Sequence, residues 1–422
     1  MQCAARSRAF SARLPPACLV VVQIVGSTAR RERARAIDAG HANCTSQRRR
    51  TSAAILERAM RITVRALLSR GLLALVVLLT AGLAASPVRA ADARPEFKVA
   101  WSIYVGWMPW DYAQQSGILK KWADKYGIKI TLTQVNDYVE SINQYTAGQF
   151  DACVMTNMDM LTIPAAGGVD STALITGDFS NGNDGIILKG KGKKLADIKG
   201  QSVNLVELSV SHYVLARALE TLKLRERDVK IVNTSDADIV GAWAAPATTA
   251  VVTWKPQLSE IGGQPDASLV FDSSKLPGEI IDLMVVKTDV LKKSPALGKA
   301  LVGAWYETLT VMFGKDAGAT AALTAMAKAS GTDIAGFRSQ LATTRMFATP
   351  AEAYTFMQSP DVSRTMDLVR KFSFEHGILG EGAKTVDAVG ISFPSGQVLG
   401  DSKNVKMRFD ATYTKLAVDG KL

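Results

Sequence analysis

The sequence predicts an α/β protein of two lobes, with a hinge between the lobes and a mainly helical C-terminal part. Three observations support this fold class. From residue 97 onward, short runs of strand type alternate with runs of helical length, the pattern of a largely parallel sheet in a layered α/β fold. The rhythm pauses at GDFSNGNDG (177–185), rich in residues that tolerate turn geometry, and then starts again. Beyond residue 294 the strand-like runs give way to helical ones.

The first 90 of the 422 residues differ from the rest. They hold fifteen arginines, no lysine and three acids (Glu32, Asp38 and Glu57), a balance of +12. The whole chain carries +11, so residues 91–422 carry −1, which implies no basic face for nucleic acid or a membrane surface. After Met60, the positive Arg61, Arg65 and Arg70 precede fourteen largely apolar residues (72–85), and Val88 and Ala90 stand at the −3 and −1 positions before Ala91. This reads as a signal peptide over 60–90, cleaved near Ala90 for export. The apolar run is shorter than the ~20 residues of a membrane span, and no cysteine follows it to carry a lipid. Residues 1–59 are Arg-rich, lack strand or helix periodicity and hold Cys3, Cys18 and Cys44. They read as a spurious or disordered N-terminal extension ahead of a true start at Met60. The exported chain would then carry a single cysteine, Cys153, and no internal disulfide, so its stability must come from a buried core.

Each element follows in order. FKVAWSIY (97–104) alternates as a strand, YAQQSGILKKWADKYG (112–127) reads as a helix ending at Gly127, and IKITLTQV (128–135) as the next strand. VESINQYTAGQ is helical, FDACVMTNM a short buried strand, MLTIPAAGG a short helix and STALITG another strand. After the pause come GIILKG, the loop KGKKLADIKG, and then strand QSVNLVEL, helix SHYVLARALETLKL, strand VKIVNT, helix SDADIVGAWAA and strand TTAVVTW. EIIDLMVVKTDVL reads as a return crossing, and helices follow over 294–313, 317–330, 332–343, 350–358 and 360–376. Lobe one is therefore expected to comprise 97–178 plus 280–422, and lobe two 183–275. In such folds ligands sit outside the carboxyl ends of the parallel strands and between domains.

The run LADIKGQSV, then LVELSVSHYVLARALE, then AVVTWKPQL resembles the periplasmic solute-binding proteins of nitrate/sulfonate/taurine-type ABC importers. GWMPWDYAQQSGI, QYTAGQFDACVMTNMDML, GDFSNGNDG and VELSVSHY resemble more closely the branch associated with urea carboxylase. The resemblance spans nearly all of 97–422. It implies a two-lobed periplasmic binding protein of type II, a small nitrogen-rich ligand (guanidine or urea), and an ABC permease in the inner membrane as partner. It implies no cofactor, no metal and no nucleic acid, and a monomer.

Residues expected at strand ends and loops facing the cleft are Trp107, Trp110, Asp111, Asn157, Asp159, Glu207, Ser209, Ser211, His212, Asp236 and Trp254, with Thr156, Asp178, Asn183, Asp184, Thr234, Asp238 and Thr253 nearby. Carboxylates dominate this set, and its only basic members or neighbours are His212 and Lys255. An anion needs N–H donors or basic side chains, whereas a planar guanidinium needs bidentate carboxylates and aromatic faces. The composition thus favours a cation. Glu207 is the leading candidate, because it shares a face with Val203 and Leu205 in a strand whose other positions are mostly apolar, where a carboxylate must be paired or face the cleft. Structural readings stand beside these. Asp111 with Gln114 forms a capping box for a helix from Tyr112, Asp159 caps the short helix after it, Ser209 and Ser211 are N-cap types, and Asp236 and Asp238 suit a helix terminus. Either tryptophan and Trp254 are equally suited to the core, and His212 to a structural role.

Competing functions fit less well. There is no G-x-S-x-G elbow and no Cys/His metal spacing, and only His212 and His376 follow residue 91. The thiamine pyrimidine synthases, which share this fold, use clustered cysteines, and Cys153 stands alone. A binding protein without catalytic residues is the expected function. A urea, sulfonate, nitrate or taurine ligand is the alternative within that class.

Overall fold

A computed structural model describes residues 94–380 and 382–422, which fall in one compact unit. The signal-peptide and N-terminal-extension readings lie outside the described residues. The chain first lays down β1 (Glu96–Trp101), β2 (Lys129–Gln134), β3 (Ala152–Thr156) and β4 (Ser171–Ser180). It then crosses into β5 (Asp184–Lys189), β6 (Ser202–Leu205), β7 (Lys230–Asn233), β8 (Ala250–Trp254) and β9 (Ala267–Asp272). It returns through β10 (Ile281–Lys287), β11 (Thr344–Met346), β12 (Gly390–Ser392), β13 (Val398–Leu399) and β14 (Val405–Phe409).

Two sheets result. The large one has the order β13-β12-β14-β4-β10-β3-β1-β2, with β11 paired to β4; the small one has the order β7-β6-β8-β5-β9. Central strands such as β3 (ACVMT) and β8 (AVVTW) are buried at every position, as continuous apolar runs covered on both faces should be. The expectation of a largely parallel sheet needs correcting. β1 runs parallel to β2 and β3, and β6 parallel to β7 and β8, but β10 runs against β3 and β4, and β5 against β8 and β9. The reason is the crossing itself. β3 and β4 end where the chain passes between sheets, while β5 and β10 begin there, so each crossing strand opposes its neighbours.

The helix expected over 112–127 is two helices, Met108–Gln115 and Ile118–Lys125, broken at Gly117, whose φ of 80° interrupts the helical path. The first starts four residues earlier than expected because Pro109 suits its opening turn. Asp111 therefore lies inside that turn rather than at its cap, and its carboxylate accepts from Gln115 Nε2 at 2.6 Å. The predicted capping box with Gln114 is replaced by this i,i+4 pair.

The C-terminal helices form at Pro295–Met312, Ala317–Ala329, Ile334–Leu341, Pro350–Gln358 and Pro360–Glu375. The short strands β11 to β14 were not expected, and β14 pairs parallel with β4 to extend the large sheet. Helix Pro295–Met312 covers that sheet, with Trp305 stacked on Trp110 at 5.0 Å between ring centroids. Among the described residues, no helix is long and apolar enough to cross a membrane.

Candidate functional site

Strand register assembles the site. On the large sheet Asp282 of β10 pairs with Thr156, the last residue of β3, on one side and with Asp178 of β4 on the other. On the small sheet Asp184, the first residue of β5, pairs with Trp254, the last of β8. The turn after β1 adds Tyr104 and Trp107, and the starts of helices Tyr138–Thr146 and Val210–Thr221 add Tyr138 and Val210. With Ile280 these residues enclose a small cavity of about 270 Å³, its open mouth included.

Four aromatic rings form most of the wall. Tyr138 lies edge-on to Trp254 (5.4 Å, 74°) and tilted against Trp107 (5.6 Å, 35°), and Tyr104 lies edge-on to Trp107 (5.1 Å, 68°). The Trp107 Nε1–H has no hydrogen-bond partner although the residue is buried.

Carboxylates supply the charge. Asp184 and Asp282 line the cavity, with Asp178 and Asp159 directly behind, and all four are buried. Asp178 Oδ1 accepts from the Tyr104 hydroxyl at 3.2 Å. Asp159 Oδ2 accepts from the hydroxyls of Tyr138 at 2.6 Å and Thr156 at 2.9 Å, while the Thr156 amide donates to the Tyr138 oxygen at 2.9 Å. Asp184 accepts from the Ser180 hydroxyl. Burial pushes Asp184 up to about 7, and pushes Asp159 up to about 6 against the pull of its hydroxyl donors. Burial likewise raises Asp178 and Asp282; the charge of Asp178 raises Asp282 further, whereas the contact with Asp282 and the Tyr104 hydroxyl pull Asp178 back down. Among the described residues, no lysine, arginine or histidine offsets the charge of any of the four.

The expected site residues divide. Trp107 and Trp254 reach the cavity, and Asp159 supports it through Tyr138 and Thr156. Trp110 does not reach it, being 1% exposed and committed to its stack on Trp305. Asp111 is held by Gln115 away from the cavity. Asn157 is a structural clamp: its Oδ1 accepts the Ile281 amide at 3.0 Å and its Nδ2 donates to the Glu279 carbonyl at 3.1 Å.

Glu207, the leading candidate, is corrected. β6 ends at Leu205, so the face shared with Val203 and Leu205 does not extend to Glu207, which lies exposed in the following turn. Ser209 caps helix Val210–Thr221, accepting from the Ser211 amide at 3.2 Å, and donates to the Val206 carbonyl at 2.8 Å. Ser211 follows inside that first turn, and its Oγ is buried without a partner. His212 points away from the cavity. Its Nδ1 accepts the Leu208 amide at 3.1 Å, which leaves the proton on Nε2, 3.5 Å from Glu226 Oε1. His376 Nδ1 lies 2.6 Å from the same oxygen. Burial raises the Glu226 carboxyl, but the two imidazoles more than offset this and hold it well below the usual range. Asp236 accepts the Tyr138 amide at 3.1 Å, a contact at the cavity's edge between the connection after β7 and the segment after β2.

Tyr104, Tyr138 and Asp282 were missed. A signal existed for Asp282, a lone carboxylate inside the apolar strand IDLMVVK. Tyr138 carries no comparable mark, because its role depends on a long-range approach. Among the described residues, no group of three or more His, Cys, Asp or Glu is placed to hold a metal ion.

The fold matches periplasmic binding proteins. The alkanesulfonate-binding protein SsuA from Xanthomonas axonopodis pv. citri, bound to MOPS, superposes with a TM-score of 0.56 at 17% identity, over 68% of this chain and 96% of that one. The periplasmic aliphatic sulphonate binding protein SsuA from Escherichia coli gives a TM-score of 0.56 at 17% identity, covering 68% and 95%. In sequence, residues 112–319 match the family model described as NMT1/THI5 like. The taurine-binding periplasmic protein of Escherichia coli is 25% identical over 121 residues, 28% of this chain. The match spans 37% of that relative's length.

Proposed function

We propose that the protein is the solute-binding component of an ABC importer, acting in the periplasm, and that its ligand is guanidine in its guanidinium form. The two sheets with their helices serve as lobes that close on the ligand, and the closed form docks on an inner-membrane permease. Closure is stabilised only by the ligand's differential affinity for the closed state. No residue is assigned a catalytic role.

One observation carries the choice of ligand: four buried carboxylates beside four aromatic rings, with no basic side chain among the described residues to balance them. A guanidinium supplies a delocalised positive charge, N–H donors for the aspartates and a flat face for the rings. A sulfonate or nitrate would sit against carboxylates that burial already forces toward neutrality. The relatives named for taurine and sulfonates support the transport class, and their ligands remain the competing choice for this cavity.

Calorimetry of residues 91–422 with guanidinium chloride, urea, taurine and nitrate tests the reading. Guanidinium is expected to bind most tightly, with affinity falling as pH drops below about 7, where Asp184 takes up its proton. Tightest binding of taurine or nitrate would overturn it.

A further inference from the structure

We propose that Asp178 and Asp282 are the residues by which the site reads its ligand's charge: when it is empty, their two carboxyls hold one proton between them, and a bound guanidinium displaces that proton to solvent. The inference rests on the cationic reading of the cavity and adds the mechanism of discrimination.

The geometry is specific. β4 and β10 place the two residues opposite one another, with both side chains buried and their carboxyls within hydrogen-bonding reach. Asp178 Oδ1 is served by Tyr104, but Oδ2 meets no donor among the described residues. Gly106 leaves the room that this carboxyl occupies, since a Cβ there would stand 2.5 Å from Oδ2. The titratable groups around the pair are Tyr104 from the turn after β1 and Asp184 from β5, with Asp159 behind the cavity. None is basic. Two ionised carboxylates in that position would repel one another without a donor between them, and a shared proton supplies the donor.

A guanidinium brings both charge and N–H donors. Its arrival favours both carboxylates ionised, so the O–H bond of the shared carboxyl breaks, its electrons stay on oxygen, and the proton passes to solvent. Urea offers similar N–H donors but no charge, and leaves the proton in place.

Calorimetry near pH ~8, above the value of about 7 at which Asp184 titrates, in phosphate and in Tris, which differ in ionisation enthalpy, counts protons exchanged on binding. The expected result is release of about one proton per guanidinium and none for urea. Asp282→Asn should bring guanidinium-linked release close to zero and weaken its binding by roughly tenfold or more. Guanidinium binding without proton release in the wild type would overturn the shared proton while leaving the cationic site standing. Absence of guanidinium binding would overturn both. Unchanged release in Asp282→Asn would move the titrating group to Asp184 or Asp159 and refute the assignment. If that variant fails to fold, Asp178→Asn carries the same test of the assignment, with loss of release expected and unchanged release refuting it.

Discussion

Trp107 and Trp110 stand one helical turn apart in the same short motif, yet only one reaches the cavity. Trp107 caps the helix Met108–Gln115 and turns its ring toward Tyr138, while Trp110 lies on the helix face that packs against Trp305. The same contrast separates Glu207 from Asp282. A carboxylate beyond a strand's last residue can turn to water at little cost, whereas one inside a strand paired on both sides cannot. Substitutions should follow these placements. Glu207→Gln and Asp111→Asn should leave guanidinium affinity within about twofold, because neither residue lines the cavity. Trp254→Ala, which removes a cavity ring, should weaken it by roughly tenfold. Titration of the three variants by calorimetry checks both statements, and a large loss in Glu207→Gln would restore that residue to the site.

At the scale of elements, the sequence signals that survived are the local ones. Alternation and β-branched runs marked β1, β2, β4, β6 and β8, and helical length marked the five C-terminal helices. What was not legible was register. Nothing local states that Asp282 will lie between Thr156 and Asp178, or that Asp184 will oppose Trp254, because those pairs join residues 70 or more positions apart. The strands of two to five residues near the C-terminus were invisible for a related reason: β11 and β14 are strands because β4 offers an edge, and β12 and β13 build outward from β14. The return crossing shows how such long-range placement is stabilised. Glu279 accepts from Arg217 through both carboxylate oxygens (3.0 and 3.1 Å) and from the Tyr213 hydroxyl at 2.6 Å. This fastens the crossing to helix Val210–Thr221. Glu279→Ala leaves a buried phenol and a half-buried guanidinium without these partners, and should lower stability by about 2 kcal/mol. Urea denaturation checks this: the midpoint should fall with little change in slope, and an unchanged midpoint would show the clamp to be dispensable.

For the whole molecule, the carboxylates of the cavity set an unusual dependence of stability on pH. Asp159 and Asp184 are raised to about 6 and about 7 by burial, and Asp178 and Asp282 are raised as well. A carboxyl whose folded pKa lies above its unfolded value binds its proton more tightly when folded. Its contribution is complete below the unfolded value near ~4 and is lost as pH rises through the folded value. Carboxyls held low by partners, such as Glu226 and Asp170, behave oppositely, but they give up their contribution only below the ordinary carboxylate range. Between pH ~5 and ~8 the cavity groups therefore dominate, and the ligand-free protein should melt at a higher temperature near pH ~5.5 than near pH ~8. A guanidinium in the cavity favours the ionised carboxylates, lowers their pKa values and removes the reason for the trend. With saturating guanidinium the melting temperature should rise at pH ~8 and gain little from acidification. Differential scanning fluorimetry at the two pH values, with millimolar guanidinium chloride and with sodium chloride at matched ionic strength, measures both effects. A ligand-free protein that loses stability steadily from pH ~8 to ~5.5 would show that the four aspartates are hydrated or otherwise compensated, and the charge argument for the ligand would fall with them.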